Sequence, residues 1–447
     1  IDLHGCHKLY RKFNNTFNFS LSLSKNPEIM MSIHEHTLFL RDAERLSRPP
    51  AFNVMVKPVG SLCNMDCAYC YYLDKSRLHG GRNYMMDDLI LDRVIRDTIN
   101  SNAAEEITFE WHGGEPLLAG IDFFRKVVSL QSRYADGRRI NNSIQTNGTL
   151  LTPRWADFLR ENDFLVGISI DGPEYVHDRF RRDKGGRSSF YRVMSGLTCL
   201  HVAGVRFNTM TAVSSASEGL GTEVYRFLKS IGSRYMQFMP VLEYLKPADD
   251  PGRLRIASPF ETDTRRAPWS VSSEGFGKFM CDIFDQWVRT DVGEYFVGLF
   301  DATLANLCGV PSGICAYGEV CGCNPVVECN GDVYPCDHFV YERNVIGNVA
   351  SSSLKDMVEA GTQMWFGMAK RNTLPPQCLR CEFLALCHGE CPKHRFDADT
   401  QGYPGLNSLC RGYEMFFRHT EPYFREMKRL LELSLPPSLI MGLEEQK

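Results

Sequence analysis

Apolar residues recur along the first half of the chain in short runs: NVMVKPV (53–59), EITFEWH (106–112), NSIQTN (142–147), FLVGISID (164–171), RFNTMTAV (206–213) and YMQFMPV (235–241). Runs of this length, bounded by turn-forming residues, predict buried strands. Between them lie longer stretches with apolar residues every three or four positions, such as DDLILDRVIRDTI, IDFFRKVVSLQSRY and TPRWADFLREN, which predict helices packed by one face. Strand and helix alternating in this way predict an α/β fold, a parallel sheet with outer helices that is either a partial barrel or doubly wound.

The alternation stops near residue 245. Residues 246–272 are rich in Pro, Asp and Arg and predict a surface insertion or linker, followed by a helix in EGFGKFMCDIFDQWVRT. From about 308 to 415 long apolar runs are scarce and cysteines frequent, so this part is expected to be held together by metal rather than by a core of its own. The tail, YEMFFRHTEPYFREMKRLLELSL, predicts a terminal helix packed on the domain before it. Residues 1–49 are polar and expected to be partly disordered. The chain opens on Ile1, and Met30 or Met31 is the expected translation start. The expected units are thus 1–49, 50–245, 246–307, 308–415 and 416–447.

Composition narrows the function. With 43% hydrophobic and 23% charged residues the chain is an ordinary folded protein, and a net charge of −4 gives no general attraction to phosphates, so nucleic acid is not an expected partner. No apolar run is long enough to span a membrane, and no signal peptide is evident, which suggests a cytoplasmic protein. Its seventeen cysteines then point to metal or redox chemistry rather than disulfides. Cys6, Cys199 and Cys281 are scattered and read as packing residues; the other fourteen fall at 63–70 and 308–410.

Cys63, Cys67 and Cys70 follow the first strand as C-x3-C-x2-C, a triplet that chance placement gives only about 0.02 times per chain. Three thiolates on one loop suit three corners of a 4Fe-4S cube with one iron left open, and they also suit a catalytic zinc. The segment SLCNMDCAYCYY resembles the signature of the radical S-adenosylmethionine (SAM) enzymes, with Tyr69 in its aromatic place. Gly113, Gly114 and Glu115 in GGEP resemble that family's site for the methionine amino group, and TNG (146–148) and SIDGP (169–173) match its later strand ends. The resemblance implies a partial (β/α)6 barrel of the radical SAM type. It also implies a SAM-binding 4Fe-4S cluster on the three cysteines, and cofactor contacts from Tyr69, Gly113, Gly114, Glu115 and Ser169.

Eight of the later cysteines, Cys315, Cys321, Cys336, Cys378, Cys381, Cys387, Cys391 and Cys410, suffice for two further cubes, while two structural zincs remain the alternative from spacing alone. The region resembles the SPASM extension of radical SAM enzymes. That resemblance implies an interleaved pairing, with one auxiliary cluster on Cys315, Cys321, Cys336 and Cys391 and the other on Cys378, Cys381, Cys387 and Cys410. Cys308, Cys323 and Cys329 receive no role.

Within the superfamily the chain is similar to the anaerobic sulfatase-maturating enzymes over about residues 50–415, on CNMDCAYCYY, the eight-cysteine spacing and Asp337 in YPCDHF. The resemblance implies oxidation of a Cys or Ser in a C/S-x-P-x-R segment of a sulfatase to Cα-formylglycine. It casts Asp337 as the base, places Tyr72 and His112 at the substrate, and calls for an electron donor such as flavodoxin or ferredoxin. His112 stands where a relative carries Gln. A SPASM enzyme that crosslinks peptides, and a non-catalytic zinc or electron-transfer protein, are the alternatives.

Overall fold

The computed structural model describes residues 52–72, 75, 85–247, 254–258 and 261–444, so the expectations for residues 1–49 lie outside the described residues. The six expected strands form where their apolar runs lie: β1 (Val54–Val56), β2 (Glu106–Trp111), β3 (Arg139–Thr146), β4 (Leu165–Ser169), β5 (Phe207–Val213) and β6 (Tyr235–Pro240). They are all parallel and adjacent in sequence order. The crossover helices are α1 (Asp88–Ser101), α2 (Ile121–Tyr134), α3 (Pro153–Glu161), α4 (Glu174–Phe180), α5 (Phe190–Ala203) and α6 (Gly221–Ser230). Their starts follow from local chemistry: the Asp87 side chain accepts from Ile90 N at α1, and Thr152 caps α3 with Pro153 at its first position. Helix α1 buries Leu91, Val94, Ile95, Thr98 and Ile99, the one-face spacing that the sequence shows.

The segment expected to be a linker is partly ordered as a small antiparallel sheet of β7 (Tyr244–Pro247), β8 (Leu254–Ile256) and β9 (Arg265–Arg266), in the order β8-β7-β9. Helices α7 (Ser273–Thr290) and α8 (Gly298–Leu307) follow, with β10 (Phe296–Val297) parallel to β6 at one edge of the main sheet. At the other edge β11 (Val326–Val327) lies parallel to β1, with Met55 opposite Val326. Strands β12 (Asp332–Tyr334) and β13 (Gly347–Asn348) then extend the sheet antiparallel. The cysteine-rich part is therefore a continuation of the barrel sheet.

Two expectations are corrected here. The cysteine-rich part does not rely on metal alone. Tyr317, Val327, Cys329, Val333, Val349, Leu354, Met357, Phe383 and Leu386 belong to the same buried apolar cluster as the barrel residues, contributed singly rather than in runs. The terminal helix, α10 after α9 (Gly361–Asn372), spans Cys410–Glu432 and packs mainly along α7, not only on the domain before it. Gly277 and Gly412 allow that approach, since a Cβ on Gly412 would meet Ser273 O at 2.0 Å. Above the glycines, Phe416 stacks on Phe300 at 5.6 Å.

Candidate active site

The C-terminal rim of a parallel sheet is where strands hand their next residues to loops, and most of the expected site residues gather there. Residues 60–70 run off β1 and are tied down on two sides. Gly114 N donates to Gly60 O and Glu115 N to Leu62 O, both at 2.8 Å, while Asp66 N and Ala68 N donate to Arg182 O and Phe180 O. Gly114 is required by this contact, because a Cβ there would stand 2.1 Å from Leu62 O. In the structure the two glycines thus seat the cysteine loop.

Cys63, Cys67 and Cys70 converge in a small cluster with Met65, Tyr69 and Val241, against which Trp269 packs. Burial pushes the Cys63 thiol up to about 11 and the Cys67 thiol up to about 12, with the Arg181 guanidinium opposing the rise at Cys67. Met65 N and Asn147 Nδ2 donate to the Cys63 sulfur, at 3.3 and 3.7 Å. Tyr69 donates its hydroxyl to Asp171 Oδ2 at 2.5 Å, and Arg181 Nε lies 3.0 Å from the same oxygen. Asp171, Arg181 and Trp269 were not among the expected site residues. Arg181 stands in a basic run, HDRFRR, whose sequence signal is that of a solvated face.

Glu115 is wholly buried, and burial pushes its carboxyl up to about 7. It accepts from Leu117 N (3.1 Å), Thr146 Oγ1 (2.8 Å) and Asn147 N (2.8 Å), which joins the ends of β2 and β3. Ser169, at the end of β4, accepts from Gln145 Nε2 at 3.0 Å.

Deeper under the rim is a group of charges that the sequence reading only touched. Lys57, directly after β1 and without solvent exposure, makes an ion pair with Asp337, and Tyr71 donates its hydroxyl to the second Asp337 oxygen. Burial alone would push the Asp337 carboxyl up, but the Lys57 ammonium paired with it holds it well below the usual carboxylate range. Burial lowers the His112 pKa, and Nδ1 of this ring accepts from Gly113 N at 2.8 Å, so the proton of the neutral imidazole sits on Nε2. Tyr72 is buried beneath the Lys57 ammonium, which lies 3.4 Å from its ring centre, and donates its hydroxyl to Glu328. The neighbouring Tyr71 is the tyrosine that reaches Asp337. Lys57 was not among the expected site residues, although a lysine inside a buried strand run is a legible signal.

The later cysteines fall into two electrostatic neighbourhoods. Besides burial, which raises all four thiols, Cys336 feels the charges of Cys315, Cys391 and Cys321, and Cys391 those of Cys315 and Cys321. Separately, Cys387 feels Cys410 and Cys378, and Cys410 feels Cys378 and Cys381. None of these eight and none of the first three is held in a disulfide. The donor set fits iron–sulfur cubes, in which each thiolate binds a different iron and ligation drives off the proton that burial favours. Cys329 is buried in the apolar core, as a packing cysteine. The rim also fits a ligand with acceptor groups, because the Trp269 indole N–H is buried there without a hydrogen-bond partner.

Residues 58–216 match the family model of the radical SAM superfamily, and residues 313–382 match that of SPASM, the iron–sulfur cluster-binding domain. Fold and site thus define a radical SAM oxidoreductase with a cluster-binding SPASM extension. The serine-type anaerobic sulfatase-maturating enzyme of Bacteroides thetaiotaomicron is 45% identical over 87% of this chain and 94% of its own length. The cysteine-type enzyme of Clostridium perfringens is 30% identical over 83% and 97%. The solved structure of native anSMEcpe with bound AdoMet and Cp18Cys peptide superimposes with a TM-score of 0.74 at 29% identity, over 85% of this chain and 99% of the other. This chain belongs to the anaerobic sulfatase-maturating enzymes. Neither the peptide-crosslinking nor the non-catalytic alternative has comparable support. Among the described residues no helix is long and apolar enough to cross a membrane.

Proposed function

We propose that the chain oxidises a serine of a sulfatase, within an S-x-P-x-R segment, to Cα-formylglycine, with cysteine as a second target. The placement of an ionised Asp337 beside Lys57, His112 and Tyr71 carries this reading. The 45% identity to a serine-type enzyme, against 30% to a cysteine-type one, supports serine as the target.

In this reading Cys63, Cys67 and Cys70 hold the SAM-binding cluster, with the two later quartets holding the auxiliary clusters. When bound, these groups supply the one-electron chemistry: a 5′-deoxyadenosyl radical that removes the β-hydrogen, and auxiliary clusters that take up the remaining electron. Glu115 accepts from the cofactor's amino group with the lone pairs left over from its three hydrogen bonds. Ser169 and the Trp269 N–H face the same rim and bind its polar groups. Asp337 takes the hydroxyl proton of the target residue. Lys57 and Tyr71 hold that carboxylate ionised and fix its direction, while the His112 Nε2–H donates to the peptide. Tyr72, whose hydroxyl is committed to Glu328, acts as the floor under Lys57. A small acidic electron carrier such as flavodoxin or ferredoxin supplies reducing electrons, and a reducing cytoplasm keeps the eleven thiols available for iron.

The Asp337→Asn variant tests the assignment. It keeps one side-chain acceptor for Lys57 or Tyr71, so it should retain full iron and still cleave SAM to 5′-deoxyadenosine, while peptide conversion falls by about a hundredfold or more. Near-normal conversion would remove Asp337 from the chemistry.

A further inference from the structure

The two cysteine quartets are joined by the shortest covalent path between Cys387 and Cys391, and that loop is strained. His388, Gly389 and Glu390 have φ of 49°, 69° and 50°, so two side-chain-bearing residues flank a glycine in left-handed conformation. Arg395 holds them there, with Nε donating to Gly389 O (3.1 Å) and Nη2 to His388 O and Glu390 O (both 3.3 Å). Its remaining nitrogen donates to Lys370 O at 2.7 Å.

Lys370, on α9 and 1% exposed, turns its ammonium to the other quartet and donates to Cys315 O (2.6 Å), Ala316 O (2.7 Å) and Gly318 O (2.5 Å). Three acceptors need three N–H donors, which only the charged form has. Glu390 supplies one balancing carboxylate, which accepts from Asn407 Nδ2 (2.7 Å) and pairs with His394 (2.8 Å). Two buried cations against one carboxylate leave net positive charge between the quartets.

We infer that Lys370 and Arg395 are redox-positioning residues: their buried charge makes the auxiliary clusters, above all the one on Cys315, Cys321, Cys336 and Cys391, easier to reduce. This rests on the reading of the two quartets as cluster ligands. A cube with four thiolates is anionic and becomes more so on accepting an electron, so a fixed cation a few ångströms away stabilises the reduced form more than the oxidised one. Because Cys336 immediately precedes Asp337, the cluster favoured by Lys370 is also the one nearest the substrate position by chain path.

The experiment is a potentiometric titration of the reconstituted full chain, followed by electron paramagnetic resonance, with iron counted in the same samples. Lys370→Gln should keep its iron while the reduced-to-oxidised ratio of one auxiliary cluster at fixed potential falls about tenfold, or 59 mV for one electron. Lys370→Arg should restore the ratio, and the SAM-binding cluster should not move. Unchanged ratios in a fully loaded Lys370→Gln variant would overturn the inference. So would an equal shift in Lys370→Arg, because loop anchoring rather than charge would then be responsible. If Lys370→Gln sheds iron, Arg395→Gln carries the same expectation and the same refutation. Absence of auxiliary signals from the wild type would overturn the cluster reading beneath it.

Discussion

Removing the ammonium of Lys57 tests the deepest part of the site. Lys57 has no exposure and Asp337 has little, so the Lys57→Met variant keeps the bulk of the side chain but strands a buried carboxylate. Breaking one partner out of a buried ion pair costs about 3–5 kcal/mol. The unfolding entropy of a 447-residue chain is roughly 0.9 kcal/mol/K, so the melting temperature should fall by about 3–5 °C. The double variant Lys57→Met/Asp337→Asn removes both charges, and most of that loss should return while formylglycine production stays absent. The assay is thermal unfolding of anaerobic protein with matched iron content, run beside a peptide-conversion assay. A single variant as stable as the wild type, or a double variant no better than the single, would show that the pair is not the buried ion pair described. The sign of the pH dependence is fixed as well. The lowered Asp337 pKa contributes stability present above about pH 4 and lost as pH falls further, and Lys57→Met should flatten that acid limb.

Three further outcomes follow from the same geometry. The Cys63, Cys67 and Cys70 triple alanine variant should retain about eight of twelve irons by chemical analysis, since each cube holds four and the quartets lie elsewhere. Gly114→Ala should lose SAM cleavage together with iron from the first cluster, because the new Cβ would displace Leu62 O, 2.1 Å away. Burial raises the Glu115 carboxyl from 4.5 to about 7, so it binds its proton more tightly in the folded state, and the wild type should lose up to about 3 kcal/mol of stability between pH 4.5 and 7, where the unfolded chain ionises this group and the folded one does not. Melting curves of Glu115→Gln across that range should lack this slope.

Much of this architecture was legible because each strand sets apolar residues toward the core: β2, β3, β5 and β6 alternate buried and part-exposed positions, and β4 is buried almost throughout, so burial on both faces holds for β4 alone among these five. Each of the six runs placed its strand to within three residues. The Pro-, Asp- and Arg-rich segment concealed β7 to β9, strands of two to four residues whose order comes from pairing with one another rather than from apolar content. The core of the cysteine-rich part was hidden for a related reason. Val327, Val333 and Val349 come from three short apolar patches and become a core because β11 docks on β1. In the site, the thiols and the GGEP segment could be read from spacing and resemblance, since loop chemistry is local. Tyr71, Asp171 and Arg181 could not, because each matters through a partner 100 or more residues away: Asp337 for the first, and the Cys67 and Tyr69 loop for the others. Lys57 was legible as a lysine at the end of a buried strand run, but its partner Asp337, 280 residues away, was not.

The central claim is that this chain makes an aldehyde from a sulfatase side chain. The direct measurement is mass spectrometry of a serine peptide with the S-x-P-x-R segment, incubated anaerobically with reconstituted protein, SAM and dithionite, then treated with a hydrazine. The account predicts loss of two hydrogens at the serine, a hydrazone at that residue, and 5′-deoxyadenosine formed in step with product. Loss of two hydrogens without hydrazone would reveal a crosslink, and 5′-deoxyadenosine beside an unchanged peptide would show that the substrate lies elsewhere; either result contradicts the account.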